Sequence, residues 1–183
     1  MVVNTRMPRR MRRFQRWVRA GAPLMCAVGL TVPIASQTDA VKHTGGTPPT
    51  VLFMCPHGAA KSVLASAYFQ RMARERGLNV RVESAGTEPD DAVSSAVAAH
   101  LKRQGYSVPV AKPRKVTAEE FAAADVVISM GCDLTALPPP RGRLLQWDEV
   151  PAPSDGLAAA DEAIRKRVSD LIEELVRSMP KNK

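Results

Sequence analysis

The chain is predicted to fold as an α/β domain: a four-stranded parallel sheet with helices on both faces, three layers in all. Two observations carry this expectation. From Thr50 onward, short apolar strand-like runs alternate with helical patterns; each helix can return the chain to the same end of a sheet, so alternation favours parallel strands. The first of those runs also ends directly on a cysteine, Cys55, ahead of a stretch of small and turn-compatible residues. In open parallel sheets, functional groups gather beyond the carboxyl ends of strands.

The elements follow in order. Strands are expected at 50–54, 80–84, 125–130 and, in short form, 143–146; helices are expected at 62–76, 91–104, 117–123 and 157–178. Gly77 and Gly105 are placed to stop the first two helices, and Thr117 with Glu120 has the spacing of a capping box. The last helix carries Leu157, Ile164, Val168, Leu171, Ile172 and Leu175 at helical spacing, which assigns it to core packing. Ahead of the domain, residues 41–49 read as a linker, with paired glycines, paired prolines and no periodicity.

Residues 1–40 are expected to be a leader. They hold seven arginines and one aspartate, and so carry +6 of the formal net charge of +8. An uncharged run, Ala20–Thr38, follows the arginines, with small residues at Ala35, Ser36 and Ala40 that suit a cleavage site. The segment reads as a signal peptide or membrane anchor, a start placed upstream of the true one, or an arginine-rich tail. Localisation is open on these readings: cytoplasmic, or exported and anchored if the leader is genuine. Any membrane contact would run through residues 1–40.

Composition narrows the function classes. With +2 left for the body and aromatics at only 4%, there is neither a basic stripe nor a stacking platform, so nucleic acid is not an expected partner. Three cysteines, Cys26, Cys55 and Cys132, are too few and too scattered for a disulfide framework or a four-ligand zinc site. No metal and no cofactor is expected.

What remains is Cys55 and its loop, Pro56-His57-Gly58-Ala59-Ala60-Lys61-Ser62. A thiol at a strand end, facing a helix N-terminus, sits where partial positive charge is concentrated; such surroundings favour the thiolate and gather backbone N–H groups around an anion. The candidate oxyanion loop comprises His57, Gly58, Ala59 and Ala60. Pro56 has no N–H to give, and Gly58 can take a left-handed turn. His57 would either influence the thiolate or point to solvent. Cys55 would otherwise be a buried structural cysteine, and Ser62 a simple helix cap.

The spacing Cys55-x5-Lys61-Ser62 resembles the Cys-x5-Arg-Ser/Thr loop of cysteine-dependent phosphatases, and its place after the first strand is similar to the low-molecular-weight protein-tyrosine-phosphatase family. That family includes thioredoxin-coupled arsenate reductases. The resemblance continues through Ser84-Ala85-Gly86-Thr87, Ala96–Gly105, Ala124–Met130 and Trp147–Pro153, covering roughly residues 50–178. It implies that Cys55 is the nucleophile, that Ser62 donates to its thiolate, and that Lys61 occupies the arginine position as a point charge without arginine's planar fork. It also aligns Ala152 with the aspartate that serves as general acid; Asp148, Glu149 or Asp155 would have to substitute.

Cys132 lies near the position where reductase members carry a second cysteine. By resemblance, it would attack a Cys55–arsenic adduct and leave a Cys55–Cys132 disulfide, handing off to an external thiol reductant. Leu137-Pro138 stands where a third cysteine would be needed for an intramolecular cascade. The alternative role for Cys132 is a strand-end core residue. The expected function is therefore a cysteine-dependent phosphatase acting on phosphotyrosine-like monoesters. The alternatives are an arsenate reductase, or a catalytically weak module that binds phosphate- or arsenate-type oxyanions.

Overall fold

The computed structural model describes residues 47–178, so the expected leader lies outside the described residues and of the linker only 47–49 are seen. Eight elements follow one another: β1 (Thr50–Met54), α1 (Lys61–Glu75), β2 (Arg81–Ala85), α2 (Ser95–Arg103), α3 (Ala118–Ala123), β3 (Val126–Ser129), β4 (Arg143–Gln146) and α4 (Leu157–Ser178). The strands form one all-parallel sheet in the order β2-β1-β3-β4. The chain leaves β1 for one neighbour and later returns to its other side. The carboxyl end of β1 is therefore a topological switch point, where ligands bind in such sheets.

Strand alternation sorts the core into two layers. Val51, Phe53, Val126 and Ile128 face one side and pack with α1, α2 and α4, where Phe53 meets Phe69 and Trp147 at ring separations of 5.4 and 6.1 Å. Leu52, Met54 and Val127 face the other side and pack with Phe121 of α3. Helix α1 is buried continuously from Ser62 to Phe69 because it lies between the sheet and α4. The apolar stripe of α4 is buried at Ile164, Val168, Leu171 and Ile172, with Leu157 and Leu175 partly covered. The two stop glycines take left-handed φ of +66° and +74°, and Thr117 with Glu120 closes a capping box in both directions.

A polar clamp ties α1, α2 and α4 together on the sheet face they share. Asp161 accepts from the buried Tyr68 hydroxyl, pairs with His100 at 3.1 Å and takes Arg165 Nε at 3.0 Å. The Arg165 guanidinium also lies 4.1 Å from the Tyr68 ring centroid and donates to Tyr106. Burial works to raise the Asp161 pKa, but the bonds from Tyr68, Arg165 and His100 outweigh it and hold the carboxyl below the usual aspartate range. Burial, aided by the neighbouring carboxylate, pushes the Tyr68 hydroxyl well above the normal tyrosine range.

Most element bounds fall within a residue of expectation, but α2 is shorter than the predicted 91–104. The reason is local. Asp90 N–H donates to His57 O, and Ser94 N–H donates to Ala59 O while its side chain caps α2. Residues 88–94 are thus spent in bracing the Cys55 loop and cannot begin the helix. Pro49 O likewise accepts from Arg81 N–H at 2.8 Å, which draws the end of the expected linker onto the sheet edge. Among the described residues, no helix is long and apolar enough to cross a membrane.

Candidate active site

Cys55 emerges from β1 almost fully buried, at 3% exposure, with its sulfur 3.3 Å from Ser62 Oγ. As a thiol it donates to the serine; as a thiolate it accepts from the serine hydroxyl. Ser62 does not cap the helix as one expectation had it. Ala60 occupies the cap position without a side-chain bond, and Ser62 is the second residue of α1. Its hydroxyl is free for the sulfur because capping does not use it.

The loop between them is held from outside by its carbonyls. Pro56 O accepts from Glu88 N–H, His57 O from Asp90 N–H, Ala59 O from Ser94 N–H and Ala60 O from Leu64 N–H. In a trans peptide the C=O and the following N–H point in opposite directions. Anchoring the Pro56, Ala59 and Ala60 carbonyls outward therefore turns the N–H groups of His57, Ala60 and Lys61 the other way. Together with the free N–H groups of the first turn of α1 they make a concave donor set, the arrangement that receives anions. Gly58 departs from expectation here: its N–H is bonded to Cys55 O at 3.1 Å, so it shapes the turn and gives the anion nothing. Its φ of +60° is the left-handed value that glycine allows.

His57 contributes its backbone and not its ring. Its imidazole pairs with Asp90 at 3.2 Å, and the two side chains are 63% and 55% exposed. The solvent-facing alternative is the one observed.

Lys61 opens α1 and sends its ammonium to Val150 O at 3.4 Å; a side chain on Gly131 would begin 3.7 Å from Lys61 Nζ. The cation thus stands between the loop after β3 and the segment before α4. Asp148, on that segment, accepts from Gly131 N–H at 2.9 Å. Glu149 is paired with Arg167. Asp155 accepts from Ser154 Oγ at 3.2 Å, while its N–H closes a turn on Ala152 O. Asp148 and Asp155, the expected substitute acids, thus each accept one hydrogen bond, from Gly131 N–H and Ser154 Oγ respectively.

Cys132 is free, half-buried and just past the end of β3, where it packs with the core on the α3 side. Burial pushes its thiol up to about 11; the charge of nearby Cys55 adds to the rise, and Ser129, Met130 and Lys61 counter it only in part. Among the described residues, no cluster of His, Cys, Asp or Glu could hold a metal ion. Sequence reasoning missed the bracing segment Glu88–Ser94. Its only sequence signal was the Pro89-Asp90-Asp91 turn chemistry, which interrupts the helical pattern.

A switch-point cysteine, a serine on its sulfur and a braced loop thus come together at the carboxyl end of β1 in a parallel α/β domain. Comparison with known proteins gives its family. Residues 50–139 match the family described as low molecular weight phosphotyrosine protein phosphatase. A curated Halobacterium salinarum protein named for arsenate reductase activity is 28% identical over 127 residues, 67% of this chain and 89% of that protein. The solved thioredoxin-dependent arsenate reductase of Corynebacterium glutamicum is 30% identical with a TM-score of 0.64; the match covers 74% of this chain and 66% of that one. The arsenate reductase of Archaeoglobus fulgidus is 28% identical with a TM-score of 0.54, over 67% of this chain and 98% of that one. The chain belongs to the low-molecular-weight phosphotyrosine protein phosphatase family, whose fold its four parallel strands reproduce.

Proposed function

We propose that this domain is a phosphatase acting on phosphate monoesters through a covalent phosphocysteine on Cys55. The observation that carries the reading is the buried Cys55 sulfur 3.3 Å from Ser62 Oγ, at the base of a loop whose Pro56, His57, Ala59 and Ala60 carbonyls are each hydrogen-bonded to residues beyond it. The thiolate attacks phosphorus while the N–H groups of His57, Ala59, Ala60, Lys61 and Ser62 receive the phosphoryl oxygens. Lys61 adds a positive charge at the rim, with less geometric grip than arginine's fork. The working unit is residues 50–178, with 1–40 as a signal-peptide-like leader and 41–49 as the tether.

The test is direct. Brief reaction with a chromogenic aryl phosphate, followed by acid quench and mass spectrometry, should find one phosphate on Cys55. Cys55→Ser should release no phosphate from that substrate. Turnover that survives Cys55→Ser would overturn the proposal.

Arsenate reduction is a second reading, favoured by the relatives named for it and by a second free cysteine, Cys132, just past the end of β3. The raised Cys132 pKa weighs against a fast relay, because disulfide exchange needs the attacking thiol as thiolate. Arsenate-dependent oxidation of an added thiol donor, lost in Cys132→Ser, would support this reading; insensitivity to Cys132→Ser would remove it.

A further inference from the structure

We infer that the substrates this site turns over best are phosphates whose leaving group departs without a proton, acyl phosphates above all. The inference rests on the phosphocysteine reading above and narrows its substrate class.

It follows from where the acids around the loop are spent. Asp90 is paired with the His57 ring, Asp148 with Gly131 N–H, Glu149 with Arg167, and Asp155 with Ser154. The Lys61 ammonium is directed at Val150 O. On the segment before α4, Asp148 and Glu149 are drawn onto neighbouring segments and Asp155 onto Ser154, and the residue that follows Val150 and Pro151 is Ala152, which carries only a methyl group. The site binds the phosphoryl group with many donors, and no carboxyl group on the segment before α4 is left unengaged to protonate the departing oxygen.

The chemistry then depends on the leaving group. In the first step the Cys55 thiolate forms an S–P bond and the P–O bond breaks, with the electron pair leaving on oxygen. A phenol of pKa about 10 must depart as an unassisted phenolate, whereas a carboxylic acid of pKa about 4 departs readily as the carboxylate. A positioned donor is worth roughly 10²–10⁴-fold to the former and little to the latter. In the second step water attacks phosphorus, the S–P bond breaks, the thiolate is regenerated, and the water proton passes to a phosphoryl oxygen to give dihydrogen phosphate. With no carboxylate base to assist, that step is slow and the phosphocysteine accumulates.

The experiment uses the full chain, with Cys55→Ser as the blank for spontaneous hydrolysis. Acetyl phosphate and a series of aryl phosphates with leaving-group pKa from about 4 to about 10 are followed by phosphate release and by rapid mixing. We expect kcat/KM to fall by on the order of 100-fold or more from acetyl phosphate to phenyl phosphate, with a burst of about one equivalent for the most acidic leaving groups. Level rates across the series, with a Cys55-dependent burst, would overturn this inference and leave the nucleophile reading standing; a steep slope restored by His57→Gln would then identify His57 as the acid. No Cys55-dependent phosphate release from any member would overturn both.

Discussion

The backbones of Gly58 and Gly86 meet without room for a methyl group on either. A Cβ on Gly86 would stand 2.7 Å from Gly58 N and from Pro56 O, and one on Gly58 would stand 2.9 Å from Gly86 N. Gly86 is itself fixed, donating to Arg114 O and accepting from Val116 N–H. The Cys55 loop therefore rests on the strand end behind it, and its shape is set from below as well as from the side.

Gly86→Ala should accordingly damage the loop more than the fold. Overpacking against backbone costs about 1–3 kcal/mol, measurable by urea denaturation. Protection of Cys55 by phosphate should be lost to a greater degree than stability. Intact protection in a destabilised Gly86→Ala protein would show that the contact does not shape the anion site.

Lys61 joins two segments as well as supplying charge. Lys61→Arg should raise aryl phosphate turnover about tenfold, since one additional charge-assisted hydrogen bond is worth roughly 1.5–3 kcal/mol. Lys61→Met should abolish protection by anions. Steady-state kinetics and alkylation assays decide both.

Cys132 gives a pH signature. Its pKa is raised on folding to about 11, so the folded state retains a proton that the unfolded thiol loses at lower pH. This stabilisation is present below the unfolded thiol's pKa of about 8.5 and is lost as pH rises toward 11. The stability difference from Cys132→Ser should therefore be constant below about pH 8, and the parent should lose stability relative to the variant as pH rises toward 11. Iodoacetamide at pH 7 should label Cys55 well before Cys132.

The Tyr68–Asp161–Arg165 clamp should matter at the acid end. The Asp161 pKa is lowered on folding, so its contribution is full above the unfolded aspartate value and fades as pH falls through the folded one. Asp161→Asn should cost on the order of 3 kcal/mol at pH 7, because it leaves Arg165 and Tyr68 poorly partnered. The difference from the parent protein should shrink as pH falls through the lowered folded pKa of Asp161 and the parent carboxyl takes up its proton. Thermal melts across pH test this.

Much of the architecture was legible in the sequence because each strand and helix carries its own local signal. The Thr117–Glu120 box, the glycine stops at Gly77 and Gly105, and the apolar stripe of α4 need no tertiary information. Cys55 and Ser62 were legible through their spacing. The start of α2 was not, because Asp90 and Ser94 answer to His57 O and Ala59 O across the fold. The roles of Gly58 N–H, the His57 ring and Asp148 were hidden for the same reason: each is decided by a partner between 3 and 33 residues away, Cys55 O, Asp90 and Gly131 N–H respectively. Their residue types were compatible with a direct role at the anion, and only the folded partner list assigns them elsewhere.

The central claim is that Cys55 is a nucleophile inside an oxyanion site. Its most direct test is iodoacetamide alkylation of Cys55 across pH 5–9, with and without phosphate or arsenate. The account predicts rapid alkylation at pH 7 and strong protection by millimolar amounts of either anion. Alkylation that appears only above about pH 8 and is indifferent to both anions would contradict it.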